Sequence, residues 1–88
     1  MKTFKDLEFK QIPSTDPIGV RARIKFDNGY GASVVSTSFS YGGKEGLYEL
    51  AVLDDKGELC YETPVTNDVE GWLNEGEVTE LLKQIQEL

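Results

Sequence analysis

The segment Val20-Arg21-Ala22-Arg23-Ile24-Lys25-Phe26 alternates apolar and basic residues without a break. Successive side chains of a strand point to opposite faces. Val20, Ala22, Ile24 and Phe26 therefore share one face and Arg21, Arg23 and Lys25 the other. Asp27-Asn28-Gly29-Tyr30 follows directly. Asn-Gly between alternating segments predicts a two-residue hairpin loop, in which both turn residues take positive φ. That loop sets Asp27 opposite Tyr30, Ile24 opposite Ser33, Ala22 opposite Val35 and Val20 opposite Thr37. Val35, Thr37 and Phe39 then join the aliphatic face, and Ala32, Val34 and Ser36 join the face of the bases. A slip of one residue exchanges the two faces.

Other segments extend the pattern. Phe4 to Ile12, with Leu7 and Phe9 two apart, reads as a short strand. Pro13-Ser14-Thr15-Asp16-Pro17 reads as a loop. Tyr41 to Gly46 is a Gly-rich connection, and Leu47 to Leu53 reads as a strand apolar on both faces, suited to the middle of a sheet. Asp54-Asp55-Lys56-Gly57 predicts a second turn, with Gly57 left-handed beside a bulge. Leu59 to Glu62 is the returning strand, ended by Pro64. Near the C-terminus the period changes. Val78, Leu81, Leu82, Ile85 and Leu88 form one helical stripe, and Asn74 with Glu77 three residues later fits a capping box. Val69 to Leu73 reads as a helical turn leading in, with Trp72 and Leu73 folded onto the sheet. The expected fold is α+β. A four- to five-stranded antiparallel sheet of β-hairpins carries one C-terminal helix on one face, as a single domain over 1–88.

Composition narrows the chemistry. The chain has 88 residues, no histidine and one cysteine, Cys60. Histidine-based triads and histidine metal sites are excluded, and so is an intrachain disulfide. Cys60 lies in an apolar strand and reads as a small buried side chain. Asp54, Asp55 and Glu58 lack the spacing of a calcium-binding loop, and Tyr41 to Gly46 lacks that of a phosphate loop. No cofactor, metal or catalytic residue is expected, which points away from an enzyme. No apolar run reaches the roughly 20 residues of a membrane helix, and the first residues lack the apolar core of a signal peptide. With a single cysteine, the expected location is a reducing cytoplasm.

The net charge is −7. Residues 1–44 hold seven bases against four acids, and residues 45–88 hold two bases against twelve acids. Such a field opposes nucleic-acid phosphates and anionic membranes and favours a basic partner; it also simply keeps a small protein soluble. Arg21, Arg23 and Lys25, about 6–7 Å apart along one strand face, stand out against it. They have three readings: cross-strand pairs with acids such as Glu49, contact with a protein, or contact with a single-stranded nucleic acid. With the helix on the Val20/Ile24/Phe26 face, the opposite face holds these bases, Val34, and, among later residues, Ala51, Leu53, Leu59 and Tyr61. Arginine mixed with aliphatic and tyrosine side chains is interface composition. Arg21, Arg23, Lys25 and Val34 are therefore the candidate interaction surface.

The run FDNGYGASVV, followed by SYGG, GLYELAVL, LCYETPVT and the helical end EVTELLKQIQEL, resembles a group of small uncharacterised proteins of tailed bacteriophages. The likeness spans roughly Ile24 to Leu88 and carries no catalytic or binding residue. It implies an accessory protein acting in the host cytoplasm on a host or phage protein. The expected function is thus a small acidic phage accessory protein working by protein–protein interaction, with a homodimer as one form of it. The alternative is an anion mimic, whose carboxylates stand in for DNA phosphates on a host nucleic-acid-binding or defence protein.

Overall fold

The computed structural model describes residues 1–12, 19–38, 40–60, 62–65 and 69–88. Five strands, β1 (Lys10–Gln11), β2 (Val20–Lys25), β3 (Gly31–Ser36), β4 (Tyr48–Leu53) and β5 (Glu70–Leu73), form one antiparallel sheet in that spatial order. One helix, α1 (Glu75–Gln86), packs on one face against β3, β4 and β5. The architecture is the α+β arrangement expected from the sequence.

Two periodicities meet in the core. Phe26, Ala32, Val34, Leu50, Val52 and Leu73 from the sheet pack against Val78, Leu82 and Ile85 from α1. The helical stripe is the one read from the sequence, with Leu81 half-buried and Leu88 exposed at the end. The capping box at its start is complete. The Glu77 N–H donates to Asn74 Oδ1 at 2.8 Å, and the Asn74 N–H donates to Glu77 Oε1 at 3.0 Å. Two otherwise unbonded amides of the first turn are thereby satisfied.

The β2–β3 register departs from expectation by one residue. The Phe26 N–H donates to the Tyr30 carbonyl at 2.8 Å, so the loop has three residues, Asp27, Asn28 and Gly29. Ala22 faces Val34, Arg23 faces Ser33, and Ile24 faces Ala32. The turn's own geometry and one distant contact account for it. Gly29 alone in this loop has positive φ, at 92°, whereas a two-residue loop would require it of Asn28 as well. Asn28 instead uses its side chain. Its Oδ1 accepts the Tyr30 N–H at 3.1 Å and its Nδ2 donates to the Ile85 carbonyl at 2.8 Å. The result is a type I turn closed by a left-handed glycine, the form the sequence suggested only for Gly57. The second turn has the same bonds: the Asp54 N–H donates to the Glu58 carbonyl, and the Gly57 N–H to the Asp54 carbonyl.

Four further expectations are corrected. Phe4–Asp6 is a short 3₁₀ turn, not part of a strand, because the Thr3 N–H bonds the Asp6 carboxylate and the Phe4 N–H bonds Thr79 Oγ1 on α1. Only Lys10 and Gln11 pair as β1. Residues 70–73 form β5, not a helical turn, since Tyr48 of β4 pairs with Leu73. The β4–β5 register shifts by one between the Tyr48–Leu73 and Leu50–Glu70 pairings. Leu73 is buried and Trp72, at φ 59°, is 59% exposed, so Trp72 does not fold onto the core. Of the expected strand from Leu59 to Glu62, Leu59 makes a single bridge to Leu53, and the Cys60 N–H bonds the Val52 carbonyl. The Gly-rich connection contains a 3₁₀ turn at Gly43–Glu45 between left-handed Gly42 and Gly46. The loop read at Pro13 to Pro17, the face assigned to Phe39 and the strand position of Tyr61 lie outside the described residues.

The N-terminal residues complete the covered face. The Phe4, Phe9 and Tyr48 rings meet with centroids 5.1 to 5.5 Å apart. Burial raises the Tyr48 phenol above its usual range, and the nearby carboxylate of Glu75 adds to the effect. Cys60 is a free, half-buried thiol packed against the core, in keeping with a structural side chain. No helix among the described residues is long and apolar enough to cross a membrane.

Candidate interaction face

The observed register assigns every side chain of the face opposite α1. Across β1 to β4 one row reads Lys10, Arg21, Val35, Glu49; the next Arg23, Ser33, Ala51; the third Lys25, Gly31, Leu53, with Leu59 bridged to Leu53. Arg21, Arg23 and Lys25 lie together on this face and are exposed, as the alternation of β2 required. Ala51, Leu53 and Leu59 are also on it.

Val34 is not. It faces Ala22 and Leu50, is completely buried and belongs to the core under α1. The one-residue difference in the β2–β3 loop reverses every side chain of β3, so Val35 takes the place expected for Val34.

Lys10 joins the bases, which the sequence reading missed. Its pairing with Arg21 puts two like charges directly opposite each other, a destabilising arrangement in a sheet. No ion pair relieves it among the described residues. Glu49, the expected partner of the arginines, is separated from Arg21 by Val35, and its Oε2 accepts the Tyr41 N–H at 3.0 Å. Four cations are thus held side by side without a direct ion pair among the described residues, with Glu8 beside Lys10, Arg21 and Arg23, and Asp54 and Asp55 across a groove from Arg23 and Lys25.

Beside them runs a groove of about 310 Å³. Gly31 and Leu53 line it with Arg23 and Lys25 on one side and the Asp54–Gly57 turn on the other. Gly31 keeps it open, and a Cβ there would lie 2.5 Å from the Ile24 carbonyl oxygen. Arg23 and Lys25 on one wall can pair with a carboxylate, while Asp54 and Asp55 line the other wall and Leu53 is 5% exposed at the base.

A second feature lies at the far side of the sheet. Trp72 has φ 59° and is the only non-glycine residue with positive φ among those described. For a bulky residue this conformation costs about 1–2 kcal/mol. The segment 40–43 holds it. The Trp72 N–H donates to the Tyr41 carbonyl at 3.2 Å, and a Cβ on Gly42 would lie 3.0 Å from Trp72 Cα. A Cβ on Gly71 would collide with Tyr41 Cβ, and one on Gly43 with the Thr37 carbonyl. The rings of Tyr41 and Trp72 emerge 61% and 59% exposed. The signal in sequence was the lone tryptophan after a glycine, opposite the Tyr-Gly-Gly run.

Among the described residues, no group of three or more Cys, Asp or Glu side chains is placed to hold a metal ion. No protein-family model matches the chain, and comparison with curated proteins and with solved structures gives no match. The two surfaces therefore have to be read from their own chemistry.

Proposed function

We propose that this protein is a non-enzymatic accessory protein acting by protein–protein contact, and that the sheet face opposite α1 receives an acidic surface of its partner. The observation that carries the reading is the row of Lys10, Arg21, Arg23 and Lys25, exposed and without an ion pair among the described residues, in a chain of net charge −7. Exposed cations beside the half-buried Val35 and the half-exposed Leu59 give the mixed arginine and aliphatic composition of interface centres. Val35 and Leu59 among the bases suit a protein surface, which offers apolar contact as well as carboxylates, better than a phosphate backbone. Under the resemblance to the phage group, the partner is a host or phage protein met in the host cytoplasm.

The anion-mimic alternative has less support. The carboxylates of Asp6, Glu49, Asp54 and Glu77 each accept a backbone N–H of the fold, which gives these acids a structural role already.

The test captures partners from infected host extract on the wild-type protein and on an Arg21→Glu/Arg23→Glu/Lys25→Glu variant, side by side. A partner retained by the wild type and lost by the variant, with unchanged circular dichroism, is the expected result. Equal retention by both overturns the reading. Sedimentation of both proteins over a range of concentrations shows whether the partner is a second copy of the chain.

A further inference from the structure

We propose that Tyr41 and Trp72 form a second binding site, independent of the cationic face, which takes a guanidinium or ammonium side chain from a basic segment of a partner protein. The geometry looks built for display. Two glycines, Gly42 and Gly71, let the 40–43 segment press against β5, and the Trp72 N–H bonds the Tyr41 carbonyl with Trp72 in the left-handed conformation. None of this buries the two rings, which are among the most exposed large apolar groups described. A groove of about 270 Å³ lies between them, with Lys44 and Glu45 on its wall.

Charge selects the occupant. Aromatic faces carry negative quadrupole density and attract cations, tryptophan most strongly. Glu45 lines the groove, the Glu49 carboxylate sits at the Tyr41 N–H, and Glu70 lies two residues before Trp72 on β5. Among the described residues, Lys44 is the one base on the groove wall. The chain's net charge of −7 attracts cations at long range. An arginine fits best, since its planar group stacks on the rings while its N–H groups reach a carboxylate.

Trp72 is the only tryptophan in the chain, so its fluorescence reports on this site alone. The probe is an amidated peptide of four Gly-Arg repeats, with Gly-Lys and Gly-Gln peptides beside it. Saturable quenching or a blue shift of Trp72 emission is expected with the arginine peptide, weaker with lysine and absent with glutamine. Lys44→Ala should tighten binding several-fold, and Glu45→Gln should weaken it. Calorimetry on Tyr41→Ala and Trp72→Gly, the latter also relieving the positive φ, should show at least a tenfold loss. The Arg21→Glu/Arg23→Glu/Lys25→Glu variant should bind the peptide at least as well as the wild type, which separates this site from the cationic face. An equal response to the glutamine peptide, undiminished binding by the two aromatic variants, or weakening by Lys44→Ala overturns the proposal.

Discussion

Asn28, in the turn between β2 and β3, donates its side-chain amide to the Ile85 carbonyl in the last turn of α1, at 2.8 Å. The two residues are 57 positions apart. The same side chain accepts the Tyr30 N–H. One residue therefore closes the turn, sets the β2–β3 register and ties the sheet to the helix C-terminus, where carbonyls lack partners within the helix. Asn28→Ala removes both bonds and should cost about 1–2 kcal/mol, read from the urea midpoint. A loss below about 0.5 kcal/mol, the range of an ordinary surface substitution, would mean that the contact does not hold the helix end.

At the opposite end of α1, Asn74→Ala should cost about 1 kcal/mol, because the Glu77 N–H loses its acceptor. Restoring a capping oxygen with Asn74→Ser should return most of it. Thermal unfolding of the three proteins checks the order. Equal stability of all three would show that the box contributes nothing.

The glycines of the 41–46 segment and the Gly71 that packs against it should differ sharply. Gly46 has φ +76° with nothing within 4 Å of an added Cβ, so Gly46→Ala should cost only about 1–2 kcal/mol of left-handed strain. Gly43→Ala and Gly71→Ala meet the Thr37 carbonyl and the Tyr41 side chain, and main chain has to move. Those two should lose more than about 2 kcal/mol each, or fail to accumulate as folded protein. Denaturant titration of the three variants would contradict the packing described here if Gly46→Ala proved the most damaging.

Stability should fall in alkali partly through Tyr48. Burial, aided by the carboxylate of Glu75, raises its phenol above the usual 10.0. The folded state favours the neutral form, so this contribution is complete below the unfolded value and disappears as pH climbs through the raised folded value. Tyr48→Phe keeps the ring beside Phe4 and Phe9 and removes the proton. Its urea midpoint should therefore decline less steeply than that of the wild type between about pH 9 and pH 11. Parallel curves would show that Tyr48 does not titrate differently in the fold.

The opposition of Lys10 and Arg21 predicts an unusual surface substitution. Arg21→Glu replaces a like-charge pair with an opposite one and should raise stability by about 0.2–1 kcal/mol at low ionic strength. The gain should shrink in high salt, where exposed charges are screened. A residue that weakens the fold where it stands is better explained by what it binds. A destabilising Arg21→Glu would remove that argument.

Local patterns were legible in the chain because nearest-neighbour physics decides them. The alternation of β2 separated Arg21, Arg23 and Lys25 from Ala22, Ile24 and Phe26, and the 3.6-residue stripe with Asn74 and Glu77 located α1. Both are properties of a backbone and its adjacent side chains. The placement of Val34 was not legible. Residues 31–36 carry small and aliphatic side chains on both faces, so either register of β3 would have looked acceptable. Nor was β5, four residues whose strand form depends on pairing with Tyr48 and Leu50 rather than on their own pattern.

Sequence alone settled which residues alternate, where the chain turns and where the helix begins. Tertiary structure settled which side of β3 is inside, because an asparagine reaches a carbonyl 57 residues away and so holds the turn at three residues. It also brought Lys10 beside Arg21, and Trp72 against Tyr41, since pairs so distant along the chain meet only when strands are laid edge to edge.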